Sequence, residues 1–227
     1  MSSWVEGEAR RANRNLLVVN GLIVAVLASA AIGNIKAVDY SQDFWPLLIF
    51  GLLFLLALWN CIKAVRRYGE IQTTPIWKQV SNYGVVEQLS SEIEQQRQGP
   101  KTKYGKLEVA GTWLVQKSLF STWVSPVGDV AWVYKKVTKH SVNFIPTGKS
   151  YSVIILGRHR QRVEVSMPEK RTNELLADLA ARVPWAIYGF EKQLETAWTK
   201  DPGSVITLVD SRYQQFKSKS SAASASS

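Results

Sequence analysis

Hydrophobic residues form two uninterrupted blocks before Lys63 and are spaced periodically after it. The first block, residues 16–35, reads LLVVNGLIVAVLASAAIGNI and carries no charge. The second, residues 44–62, reads FWPLLIFGLLFLLALWNCI and is equally uncharged. About 20 helical residues, rising 1.5 Å each, cross a hydrocarbon core of about 30 Å. Two transmembrane helices are therefore expected, at 16–35 and 44–62, joined by an external loop at 36–43. Trp45 and Trp59 stand near the ends of the second block, where indole rings favour the interface. A buried soluble hairpin seldom has two charge-free runs of this length. A signal peptide is the other rival, since Arg10, Arg11 and Arg14 resemble an n-region and Ala28-Ser29-Ala30 a cleavage site.

Beyond a connector that closes at Thr73-Thr74-Pro75, the pattern becomes that of a water-soluble domain. Val86, Leu89 and Ile93 recur at three and four, which predicts an amphipathic helix ended by Gly99-Pro100. From Leu107 to Val115 the period is two, which predicts a strand. Further strands are expected at Thr122–Ser125, Val130–Val137, Ser141–Phe144, Tyr151–Leu156 and Arg162–Met167. Gly157–Gln161 is expected as a hairpin loop. Thr172 is expected to cap a helix bearing Leu175, Leu176 and Leu179, and a second helix covers Phe190–Lys200. A last strand is expected at Val205–Val209, then a helical turn, then a Ser/Ala-rich tail, 218–227, without structure. The expected fold class is α+β: a transmembrane helical hairpin, then an antiparallel β-barrel or sheet with flanking and C-terminal helices. Its segments are 1–15 inside, the hairpin, a connector with helix at 63–104, a β domain with capping helix at 105–183, and C-terminal elements at 184–217.

Charge sets the orientation. Arg10, Arg11 and Arg14 precede the first block, and Lys63, Arg66 and Arg67 follow the second; between them stands Lys36 beside Asp39 and Asp43. Positive residues stay inside, so both termini are expected to be cytoplasmic, with these arginines and Lys63 against anionic lipid. Within the hairpin, Gly21, Ala25, Ala28 and Ser29 form a small-residue stripe, with Gly51 as a matching notch.

The whole chain carries a net charge of +10, which points to anionic partners: lipid headgroups, nucleic acid or an acidic protein surface. Candidate contacts are Lys135, Lys136, Lys139 and His140 on one strand end, and Arg158, Arg160 and Arg162 on one hairpin. Each Lys or Arg near an anionic surface contributes about 1 kcal/mol. Leu119, Phe120 and Trp123 are a candidate hydrophobic docking patch, with core packing as the alternative. Nucleic acid is disfavoured, because the basic residues are not interleaved with aromatics in a binding module.

Catalytic chemistry finds little support. Thr147-Gly148-Lys149-Ser150 looks like the end of a phosphate loop, but Asn143 stands where the first glycine belongs and a strand follows. A turn between strands is the expected role. The single cysteine, Cys61, allows no internal disulfide, and neither His140 nor His159 lies in a ligand-spaced motif. No metal or other cofactor is expected.

Gly105–Arg182 resembles a bacterial pleckstrin-homology-like (PH-like) domain. The resemblance is carried by the strand ending TWLVQ, by GDVAWVYKK, by the hairpin YSVIILGRHRQRVEVSM and by the helix TNELLADLAAR. NFIPTGKSYSVII and PWAIYGFEKQLETAW are also similar to a family of uncharacterised bacterial membrane proteins. The resemblance implies a PH-like fold at a bacterial inner membrane and says little of function, since this fold hosts many roles. Three functions follow: a non-catalytic membrane-anchored module binding a partner protein or anionic lipid, an accessory subunit of a larger membrane complex, and an enzyme acting on a membrane-bound substrate. Homo- or hetero-oligomerisation stays open.

Overall fold

The computed structural model describes residues 3–34, 44–142 and 145–225. The external loop expected at 36–43 lies outside the described residues, as does the end of the strand expected at Ser141–Phe144. The chain forms two compact units, Met1–Glu92 with Lys117–Thr122, and Ile93–Gln116 with Trp123–Ser227.

The first unit is helical. Helix α1 spans Trp4–Asn34. It starts far ahead of the apolar block because Ser3 Oγ accepts the Glu6 N–H at 3.3 Å, half of a capping box whose sequence is S-x-x-E. Its first turns are amphipathic: Val5 and Ala9 are buried, as are Glu8 and Asn13. The Val5 N–H donates to Ser90 Oγ at 3.0 Å, on helix α4 (Val86–Gln98). Downstream, α1 includes a stretch long and apolar enough to cross a membrane, of which little is buried within the protein. Helix α2, Phe44–Gly69, packs along α1 and buries Ala57 and Ala64. A 3₁₀ turn leads to α3, Pro75–Ser81, which starts on a proline as first helical residue and buries Ile76 and Val80.

The second unit contains two sheets. Strands β1 (Lys101–Tyr104), β2 (Leu107–Ala110), β3 (Trp113–Lys117) and β4 (Thr122–Pro126) form a meander in that order. The second sheet has the order β7-β6-β5-β8, from β5 (Val130–Val142), β6 (Ile145–Gly157), β7 (Arg162–Ser166) and the short β8 (Ile187–Tyr188). All pairings in it are antiparallel except β8 on β5. The expected barrel is corrected: Pro126 and a 3₁₀ turn at Val127–Asp129 separate β4 from β5, and the two sheets share a core without closing.

Alternation decides the layers. Val133, Val153, Ile155, Val163 and Val165 face a core with Leu107, Val109 and Leu114 of the first sheet. Helix α5, Glu169–Arg182, covers it with Leu175 and Leu179. The opposite face of β5 and β6 presents Trp132, Tyr134, Ile154 and Leu156, packed by Ile187, Leu194 and Trp198. Burial on both faces explains the unbroken apolar runs VAWVY and SVIIL.

Three further expectations change. The strand expected from Leu107 to Val115 is two strands, because Gly111 takes a φ of 54° and turns the chain. Thr172 does not cap α5, which begins at Glu169; its Oγ1 donates to the Pro168 carbonyl at 3.2 Å within the helix. Val205–Val209 is helical, inside α7 (Pro202–Ala225), which also runs through most of the tail expected to lack structure. The helix predicted over Phe190–Lys200 is α6, Lys192–Lys200.

Candidate functional site

The two basic groups do not converge. Lys135–His140 and Arg158–Arg162 lie towards opposite ends of the β5–β6 pair, where Lys139 faces Lys149 and Val130 faces Gly157. Nine residues of strand separate Val130 from Lys139, about 30 Å.

At one end, β5 and β6 outrun their neighbours. β7 pairs only with Ser152–Leu156, and β8 only with Trp132 and Val133. The remainder forms a two-stranded arm, in which Lys136–Ser141 and Thr147–Ser150 are exposed. Lys135, at its root, is neutralised by Glu169 at 2.6 Å and lies over the Tyr151 ring at 4.8 Å. Lys136 pairs with Glu164 at 3.2 Å. Further out, Lys139 and Lys149 are directly opposite each other, a like-charge pair that repels. Among the described residues, neither lysine has a carboxylate within ion-pair distance, although Glu169 attracts Lys149 at longer range. On the other face, His140 Nε2 and Ser150 Oγ are hydrogen-bonded at 2.8 Å. Gly148 and Lys149, expected in a turn, lie inside β6 beside a register shift at His140/Ser141. A two-stranded ribbon is marginal by itself, so an arm of this kind is stabilised by whatever covers it.

At the other end, the predicted hairpin loop is present. Gly157 N–H donates to the Gln161 carbonyl at 2.9 Å, and Arg160 takes a φ of 60°. The buried Asp129 carboxylate braces this loop: Oδ1 bonds His159 Nδ1 at 2.9 Å and Oδ2 accepts from Ser125 Oγ at 3.4 Å. Gly157 is required here, because a Cβ on it would lie 2.5 Å from Asp129 Oδ2. Arg158 pairs with Asp210 at 2.9 Å and lies over Tyr213, so it fastens α7. Arg162 shares Glu164 at 3.6 Å, and Arg160 is exposed. Four of the seven predicted contacts, Lys135, Lys136, Arg158 and Arg162, are thus tied to acidic residues of this chain.

The predicted apolar patch divides. Trp123 is half-buried against the core of the second unit. Leu119 and Phe120 belong to the first unit, at the β3–β4 turn, and are 59% and 44% exposed. That turn is pinned to α1. Glu8 pairs with Lys117 and accepts from Thr122 Oγ1 at 3.0 Å. Arg11 pairs with Glu8 and donates to the Ser118 carbonyl at 3.3 Å. Asn15 Nδ2 donates to the Leu119 carbonyl at 2.9 Å. Sequence reasoning missed this cluster, whose one local signal is the spacing Glu8, Arg11, Asn15 along one helix face.

The flanking basic residues gather at one end of the hairpin. Arg10 lies 5.6 Å over the Tyr68 ring, and Asn13, Leu16 and Arg67 line one cavity of about 30 Å³ with Phe120. Lys63 stacks on Trp59 at 5.2 Å, while Arg14 and Arg66 are exposed. The stripe residues Gly21, Ala25 and Ser29 are exposed, with Ala28 intermediate, and nothing lies within 4 Å of a Cβ built on Gly21 or Gly51. The stripe is therefore not the contact between α1 and α2 in this structure.

Elsewhere in the second unit, Glu108 accepts from Arg97 Nε at 3.1 Å and Nη2 at 2.9 Å, with Lys103 at 3.6 Å. Burial alone would raise its pKa; the Arg97 hydrogen bonds and charge, with Lys101 and Lys103, outweigh it and hold the carboxyl below its ordinary 4.5. A depressed folded value adds stability at pH above about 4.5 that is lost as pH falls through the folded value. Thermal unfolding between pH 3 and 6 should therefore show a steeper acid limb than in Glu108→Gln, whose limb is flatter.

Among the described residues, no group of three or more His, Cys, Asp or Glu is placed to hold a metal ion. A family model described as a domain of unknown function, DUF6709, matches residues 74–198. No curated protein and no solved structure matches the chain.

Proposed function

The chain belongs to the DUF6709 family, whose function is unknown, and from that premise we propose that it is a membrane-anchored, non-catalytic module whose β5–β6 arm engages an acidic partner. One observation carries the recognition: Lys139 and Lys149 face each other, exposed, on a ribbon that extends past the strands flanking it. An acidic surface laid across the pair relieves its repulsion and covers the ribbon, with exposed Val137 adding apolar contact. Anchoring is supported by the outward-facing apolar side chains of both helices, among them Leu22 and Val26 on α1 and Leu52, Leu55 and Leu56 on α2. Surfaces of this kind are stable against lipid rather than water. Both α1 and α2 are read as spans, with the basic end cytoplasmic at a bacterial inner membrane. The four-strand meander, three further antiparallel strands and α5 are read as a PH-like domain. A tether of this kind makes weak contacts effective, because the partner shares the membrane.

A photo-crosslinker at Val137 of the full chain, in its native membrane, tests the recognition. Adducts are expected from the wild type and should be lost in Lys139→Glu/Lys149→Glu; no adduct in either contradicts the proposal. A second function, an accessory subunit of a larger complex, is favoured by the exposed small-residue stripe of α1. Mass measurement after extraction in mild detergent separates the two: a stable hetero-oligomer supports the subunit, a lone chain the module.

A further inference from the structure

We propose that the β3–β4 turn, Ser118–Ser121, is an interfacial wedge that seats Leu119 and Phe120 in the bilayer's headgroup–acyl boundary, an inference that rests on the anchoring proposed above. The turn closes on itself through Ser118 N–H to the Ser121 carbonyl at 2.8 Å. Its height along α1 is fixed by side chains of three successive levels. Glu8 holds Lys117 and Thr122, Arg11 holds the Ser118 carbonyl, and Asn15 holds the Leu119 carbonyl at 2.9 Å. Asn15 immediately precedes Leu16, where the uncharged run begins. At 1.5 Å per residue, a run of about 20 residues has its centre about 15 Å beyond that point, so the turn lies at the hydrocarbon edge.

The side chains suit that level. Leu119 and Phe120 are large, apolar and exposed at 59% and 44%, while the Leu119 carbonyl is held by Asn15. Phe120 lines a small cavity with Ala9, Ala12, Leu16 and Arg67, which sets the turn beside the start of the first uncharged run and a basic residue that follows the second. Exposed apolar residues at a turn cost free energy in water and gain it in the interface. An occupant other than lipid would have to meet them beside the start of the span. The wedge also gives a purpose to the cluster around Glu8, which fixes the turn against α1.

The test uses the full chain in proteoliposomes, in a Cys61→Ser background with Leu119→Cys or Phe120→Cys carrying an environment-sensitive dye. Leu52→Cys reports on the anchoring itself. Lipids brominated high on the acyl chain should quench the dye at 119 and 120, at a depth of about 5–10 Å, and aqueous iodide should not. Iodide quenching at both positions without bromolipid quenching, while the dye at 52 is quenched by bromolipid, overturns the wedge and leaves the anchoring intact. Absence of bromolipid quenching at 52 as well refutes the anchoring, and the wedge with it.

Discussion

Trp132→Ala should be the most damaging single substitution in the β domain, at about 3–5 kcal/mol. Trp132 is 1% exposed and central to the layer on the outer face of β5 and β6. Its ring lies 4.6 Å from Tyr134, 6.1 Å from Trp198 and 6.5 Å from Phe190. Its Nε1–H donates to the Gly189 carbonyl at 2.7 Å, which ties the loop after β8 to the sheet. Alanine removes the packing, opens a cavity and orphans that carbonyl at once. Thermal unfolding followed by near-ultraviolet circular dichroism should show a midpoint roughly 10 °C lower. Trp132→Phe keeps most of the packing and loses the hydrogen bond, for about 1–2 kcal/mol. Equal losses in the two variants would mean that the layer contributes little beyond the hydrogen bond.

Glu8→Ala carries the second large effect, on the order of 3 kcal/mol, centred on the β3–β4 turn. The carboxylate is nearly buried and serves Lys117, Arg11 and Thr122 together. Removing it leaves two cations without their anion, and a half-dismantled buried pair costs more than the intact pair contributes. Lys117 is about a third exposed and can turn towards water, which keeps the loss at the lower end of the range. Amide exchange should accelerate across Lys117–Thr122 and stay unchanged in α5. Glu8→Ala/Lys117→Ala should lose less than the sum of the single variants, since the two residues act through one contact. Strict additivity would show that they do not.

Much of the domain was legible because periodicity reports burial. Ile93, Val86, Leu175 and Leu179 are buried where spacing of three and four placed them, and the Gly157–Gln161 hairpin is where glycine and charge placed it. Elements set by local chemistry were harder. The strand from Leu107 to Val115 kept its alternation through Gly111, so the turn there left no break in the pattern. Pro202 closely follows the helix that ends at Lys200 and is itself the first residue of α7; Val205 and Val209, four apart, are buried on that helix rather than on the expected strand. The start of α1 was written in Ser3 and Glu6 but was overshadowed by the apolar block that follows.

The site was less legible than the fold. A sequence gives the sign of Lys135 and Arg158, and it does not give Glu169 or Asp210, which come from distant helices to neutralise them. Nor does it state how far β5 and β6 extend past β7, and that overhang alone separates Lys139 and Lys149 from the paired lysines at the root. Leu119 and Trp123 are four residues apart in sequence, yet one is exposed at a turn and the other packs a core, because the strand between them passes from one compact unit to the other.

The central claim is that the outward apolar faces of α1 and α2 lie in lipid. Alkaline carbonate washing of membranes from cells making the full chain tests it most directly. The account predicts that the protein stays in the pellet and is released only by detergent. Recovery in the carbonate supernatant, as a soluble and monodisperse chain, would contradict it.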